Sequence, residues 1–179
     1  MKSWTVRARC LALLLGLLAW LGLYACGTSS DLYVTKPLTT KLDKFSSVTI
    51  VARGNGVELS KAANHFKKVL SRGLEKRGLF DRIGPDGDLS IRATIQNMDR
   101  GTQAGRGLTL KGKAKVTVEV KVAKSNGEVL AHITAQAESQ RGDDEDRPDL
   151  RVLQAAADQV VQYLEEHGGT KKKASSGEE

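Results

Sequence analysis

Leu89-Ser90-Ile91-Arg92-Ala93-Thr94-Ile95 alternates apolar and polar side chains without a break, and its reading decides the fold. Successive side chains of a strand point to opposite faces of a sheet, so this stretch is a strand with one face in a core and the other in water. The same period returns twice. From Leu108 and Leu110 it continues through Ala114, Val116, Val118, Val120 and Val122, with Lys111, Lys113, Lys115, Glu119 and Lys121 on the opposite side. Asn126-Gly127 then marks a hairpin, since both residues tolerate positive φ, and Val129, Ala131, Ile133, Ala135 and Ala137 form a third alternating run. Three long strands in a meander, apolar on one face, are the predicted centre of the molecule.

Helical spacing flanks this meander. Ala62, Ala63, Phe66, Val69, Leu70 and Leu74 recur at three and four residues, with Ser60 placed to cap the helix and Gly78 to end it. Before it, residues 47–52 are a β-branched run that stops at Arg53-Gly54-Asn55-Gly56, the pattern of a strand and turn. Arg82-Ile83 is a short strand ahead of the turn at Gly84-Pro85-Asp86-Gly87. A second stripe, Leu150, Leu153, Ala157, Val160, Val161 and Leu164, begins after Pro148 and ends at Gly168-Gly169. The order is β-α-β-β-β-β-α, which makes the fold class α+β. A single antiparallel-rich mixed sheet is expected, with both helices packed on its apolar face and the other face open to water.

The amino terminus has a different character. Lys2, Arg7 and Arg9 form a basic start, Cys10 to Tyr24 is an uncharged leucine-rich run, and small Ala25 precedes Cys26. This is the layout of an export leader, with an uncleaved membrane anchor as the alternative. Leu23-Tyr24-Ala25-Cys26 resembles the lipobox of bacterial lipoprotein precursors, although Tyr24 is bulkier than the small residue often found there. The resemblance implies cleavage before Cys26, attachment of diacylglycerol to its thiol, and acylation of the new amino group. Gly27 stands where an aspartate retains many lipoproteins at the inner membrane, so the outer membrane, facing the periplasm, is the implied location, with the inner membrane or cell surface as alternatives. Residues 1–25 are then a signal peptide, 26–44 a Thr-, Ser- and Lys-rich tether, 45–167 one α/β domain and 168–179 a polar tail without apolar surface to bury.

Charge and cysteine content agree with an exported chain. The full sequence has 28 basic and 21 acidic side chains; the leader removes three basic and no acidic ones, leaving a weakly basic +4. Both tryptophans leave with it, and the remaining aromatics are Tyr33, Phe45, Phe66, Phe80 and Tyr163. Nucleic-acid binding needs basic residues interleaved with stacking rings, so no nucleic-acid partner is expected. Cys26 is the sole cysteine after the leader, which excludes an intramolecular disulfide in the mature chain.

A second resemblance rests on several segments together. They are the lipobox leader, the strand at Val48-Thr49-Ile50-Val51, the helix ending in Leu74-Glu75-Lys76-Arg77-Gly78-Leu79-Phe80, the strand at Leu89 to Ile95, the long hairpin, and the closing helix at Ala155-Ala156-Ala157. This layout looks like a family of functionally uncharacterised envelope lipoproteins, whose domain is similar to those of curli-secretion lipoproteins and the Tol-system periplasmic protein. It implies a fold and an envelope role and carries no fixed catalytic residues.

No reaction emerges from the residues themselves. His65, His132 and His167 have no His or Cys at metal-ligand spacing, so no metal is expected. Gly142-Asp143-Asp144-Glu145-Asp146 lacks the alternating ligands of a calcium loop and suits the positive start of the final helix. Gly101-Thr102-Gln103-Ala104-Gly105-Arg106-Gly107 lacks the Lys-Ser/Thr ending of a phosphate loop and reads as a hairpin tip. Neither a nucleophile elbow nor a Ser-His-Asp arrangement is present, so no catalytic residue and no cofactor are assigned. The expected function is a noncatalytic accessory or assembly lipoprotein, attached to the membrane through its lipid and binding an envelope protein or polymer. A small-ligand module and a cryptic hydrolase are the alternatives. The candidate partner surface is Arg100, Arg106, Lys111, Lys113, Lys115 and Lys121, cations on the polar sheet face and the adjoining loop; lysines that guard a strand against aggregation are the competing account.

Overall fold

In the computed structural model, which describes residues 28–100, 113–139 and 147–169, the alternating runs pair as the sequence implied. Strand β4 (Leu89–Asp99), β5 (Lys115–Lys124) and β6 (Val129–Glu138) form the antiparallel meander. Strand β2 (Ser47–Gly54) leads into helix α1 (Gly56–Arg77), which crosses the sheet, so the short β3 (Arg82–Ile83) and β4 both lie parallel to β2. Helix α2 (Pro148–Gly168) closes the domain. A further strand, β1 (Ser29–Lys36), pairs antiparallel with β6 and gives the sheet order β1-β6-β5-β4-β2-β3.

Both helices lie on one face of this mixed sheet and touch each other. Val48, Ile50, Leu89, Ile91, Val118, Val120 and Ile133 meet Phe66, Leu70, Leu74, Leu153, Val160 and Leu164 in a single buried cluster. Each fully buried Val, Leu, Ile or Phe contributes roughly 1.5–3 kcal/mol through apolar burial, so this layer is the principal source of stability. Gly78 ends α1 in the left-handed conformation at φ 62°, where its N–H reaches the carbonyls of Leu74 and Glu75. Pro148 is the first residue of α2, as the sequence reading placed it. Asp88, just before β4, accepts hydrogen bonds from the Ser46 and Ser47 N–H groups and from Ser47 Oγ. The Ser47 hydroxyl contributes most to holding the Asp88 carboxyl below its usual range, and the arrangement joins the starts of β2 and β4.

The fold departs from the sequence pattern at the amino-terminal segment and at the start of α1. Residues 29–44 of the expected tether belong to the domain. Leu32 packs against the core from β1, Leu38 and Leu42 are buried, and Leu42 is in a short 3-10 helix, Leu42–Lys44. A side chain on Gly168 would come within 2.5 Å of Leu42, so the glycine read as a helix stop also makes room for this segment. The strand escaped the sequence reading because polar Ser30 occupies a core-facing position and only Leu32 and Val34 continue the apolar pattern. Helix α1 also begins a turn earlier than expected. Asn55 precedes it, while Ser60 lies inside it and donates from Oγ to the Gly54 carbonyl at 3.0 Å. The Gly101–Gly107 hairpin tip and the acidic run 142–146 lie outside the described residues.

One buried hydrogen bond ties the amino-terminal segment to α2. Tyr163 Oη accepts from the Leu38 N–H at 2.8 Å, and the Tyr163 ring stacks on His167 at a centroid separation of 4.3 Å. Replacing Tyr163 by Phe removes the acceptor but retains the ring. Stability to urea is expected to fall by about 1–3 kcal/mol, the cost of leaving a buried donor unsatisfied, with an unchanged slope. Undiminished stability would show that water satisfies Leu38 in its place.

Candidate binding surface

Every second side chain of the sheet faces away from the helices, and strand register decides which of them meet. Lys36, His132, Lys121 and Arg92 are directly opposite one another across β1, β6, β5 and β4. A bulge between Val34 and Lys36 brings Lys36 into this line. Adjacent strands are roughly 4.8 Å apart, so the four residues span about 14 Å across the sheet. The neighbouring line is Tyr33, Thr134, Glu119, Thr94 and Arg53, and it holds the only acid between the two lines.

Glu119 organises the polar contacts here. Its Oε1 accepts from Lys121 Nζ and His132 Nε2, each at 2.7 Å, and its Oε2 accepts from Gln96 Nε2 at 3.0 Å. The Lys121 hydrogen bond is the foremost cause holding the Glu119 carboxyl below its usual range; it outweighs desolvation, and Gln96 and His132 add to it. Arg53 and Arg92 are exposed and have no hydrogen-bond or ion-pair partner among the described residues. Together with Lys121, Thr94 and Glu119 they border a shallow depression of about 490 Å³.

The residues expected to form the partner surface are distributed differently. Lys113 and Lys115 both bind Glu138, at 2.7 and 2.9 Å, at the end of the sheet where β1 begins. Arg100 is paired with Glu58 at the start of α1, and only Lys121 belongs to the depression. Arg106, Lys111 and the lipidation candidate Cys26 lie outside the described residues. Arg53, Arg92, His132 and Lys36 were missed as a group. Alternation already placed Arg92 on the polar face, but the pairing that sets it against Lys121 depends on register.

A second hollow, of about 340 Å³, opens where the amino-terminal half of α1 and the first turns of α2 meet the end of β4, and Lys61, His65, Arg100, Arg147 and Asp149 border it. Burial, with Arg147 next in importance, lowers the His65 pKa from its ordinary value. Among the described residues no three His, Cys, Asp or Glu side chains are grouped to hold a metal ion, and no helix is long and apolar enough to cross a membrane.

No protein-family model matches the chain, and neither does any curated protein sequence. Similarity appears in three dimensions. A variant of the PelC dodecamer from Paraburkholderia phytofirmans aligns over 76% of this chain and 97% of its own, with TM-score 0.55 and 14% identity. A Xanthomonas campestris protein of the uncharacterised family DUF330 aligns over 75% of this chain and 89% of its own, with TM-score 0.54 and 10% identity. At such identities the likeness is one of fold. It shows that this sheet and its two covering helices recur in a protein of an uncharacterised family, as the sequence resemblance implied.

The lowered Glu119 pKa fixes the sign of a pH effect. A carboxylate with a depressed folded pKa stabilises the native state above the ordinary carboxylate range, and that contribution is lost as pH falls through the folded value. Glu119→Gln should therefore reduce the melting temperature at neutral pH by a few degrees, with the gap from wild type narrowing on acidification. A constant gap from neutral to strongly acidic pH would show that the Glu119 charge is not linked to folding.

Proposed function

We propose that this chain is a lipid-anchored lipoprotein of the bacterial envelope, facing the periplasm from the outer membrane, and that it acts without catalysis as an accessory factor binding an envelope polymer or protein. The observation that carries this reading is the lipobox leader ending at Cys26, set directly before a domain with one open, charged sheet face. Only Gly27 and Thr28 separate Cys26 from the first strand residue, Ser29. Three Cα steps reach at most about 11 Å, so acylation of Cys26 would keep this end of the sheet close to the bilayer. The surface left for a partner is then the polar face of the sheet, which rises from that end.

A small-ligand module is the second reading, favoured by the hollow beside His65, whose size is near the lower bound for ligand sites. Ligand-dependent melting shifts would support it. Turnover of peptidoglycan or ester substrates by the purified protein would overturn the noncatalytic reading.

The anchor is tested at its single residue. Cys26→Ser is expected to accumulate as unprocessed precursor, to take up no labelled palmitate, and to leave the outer-membrane fraction. Intact mass showing normal maturation of that variant would rule out lipidation at Cys26.

A further inference from the structure

The central line of the open face contains an arrangement that sheet stability alone disfavours. Arg92 is directly opposite Lys121, two cations on adjacent strands. Like charges in directly opposed positions destabilise a sheet, and a Thr or Ser at position 92 would fit the same exposed site. Local rules of this kind are broken chiefly where a surface is committed to binding. Arg53, on the adjacent strand β2, adds a further cation diagonally across from Arg92. Among the described residues neither arginine is neutralised by a carboxylate, whereas Lys113 and Lys115 share Glu138.

We propose that the depression bordered by Arg53, Arg92 and Lys121 binds a phosphate monoester carried on a glycan of the envelope. The three cations enter from three adjacent strands, β2, β4 and β5, and Thr94 lies between them with a hydroxyl facing the same side. Against the single charge of Glu119 they leave two positive charges. A phosphate monoester carries a charge of about −1.5 to −2 with three strong acceptor oxygens, whereas a carboxylate offers one charge and two oxygens. Two guanidinium forks and an ammonium match the former in both charge and number of acceptors. The line continues through His132 to Lys36, about 10 Å beyond Lys121, so a glycan with more than one anionic group can lie along it. This assignment deepens the polymer-binding reading of the function, but binding by purified protein does not depend on where the anchor resides.

The test uses the full mature lipidated chain in nanodiscs of neutral phosphatidylcholine at about 0.15 M salt, where exposed long-range electrostatics are largely screened. Its probes are a deacylated, phosphate-bearing lipopolysaccharide oligosaccharide, the same oligosaccharide after removal of its phosphates, and soluble peptidoglycan fragments, which carry carboxylates. Wild type is expected to bind the phosphorylated glycan at least tenfold more tightly than either of the others. Arg53→Gln with Arg92→Gln should weaken that binding at least tenfold, while Lys113→Gln with Lys115→Gln, removing the same charge from the same face, should change it by less than threefold. Without ligand, Arg92→Gln should fold and melt about 1–3 °C above wild type, because an opposed like-charge pair is relieved. Preference for the carboxylate glycan, equal loss in the two double variants, or a lower melting temperature for Arg92→Gln would each overturn the assignment. Loss of anchoring at Cys26 would instead count against the envelope location and leave these binding results standing.

Discussion

A sheet with one apolar face must be covered on that face, and this requirement governs the rest of the molecule. Val116, Val118, Val120 and Val122 commit β5 to a buried side, and β4 and β6 repeat the commitment at matched positions. One amphipathic helix is about 10 Å wide, roughly two strand spacings, so six strands need both helices side by side. The contact between α1 and α2 follows from this geometry, as does the crossover that sets β2 parallel to β4. Even the segment ahead of β2 is drawn in: Leu38 and Leu42 close the core beside α2, and the Tyr163 hydroxyl receives the Leu38 N–H.

The same requirement frees the other face. With both helices occupied, the outward side chains of the sheet need satisfy only water and one another, and their pairing is set by the buried registers. Val120 opposite both Ala93 and Ile133 forces Lys121 opposite Arg92 and His132. Hydrophobic packing thus fixes the geometry of a charged surface that it does not touch. Glu119 relieves part of the resulting repulsion through Lys121, but its contacts do not extend to Arg92 or Arg53. The surface retains positive charge at its β2 and β4 side.

Sequence periodicity made legible those parts of the fold in which a long run has one environment. The meander, the two apolar helix stripes and the Gly78 and Pro148 boundaries are of this kind. β1 was illegible for the converse reason: an edge strand pairs on one side only, outward Tyr33 is 56% exposed and even Val34, on the core-facing side, is 45% exposed, so its composition resembles that of a linker. The start of α1 was obscured because Val57, in its first turn, is 70% exposed and breaks the apolar stripe that Leu59 begins. For the candidate site, reading along a single strand found the lysines of β5 but could not find a line running across strands. Lys113 and Lys115 look like free charges in sequence, and only the fold shows that Glu138 takes both.

The position of the cationic line also bears on what it can bind. Ser29 and Lys36 are seven residues apart along β1, and at about 3.3 Å per residue, less the bulge, that is roughly 20 Å. With Cys26 acylated and Ser29 within about 11 Å of it, the strands carry Lys36, Lys121 and Arg92 away from the anchoring bilayer whenever the sheet stands upright on it. Exposed charges act over about one Debye length, near 8 Å at physiological salt, so head groups of that bilayer are beyond their reach. A partner arriving from the aqueous compartment meets the line first. With Cys26 acylated and the sheet upright, mobile glycan chains satisfy this geometry and lipids of that membrane do not.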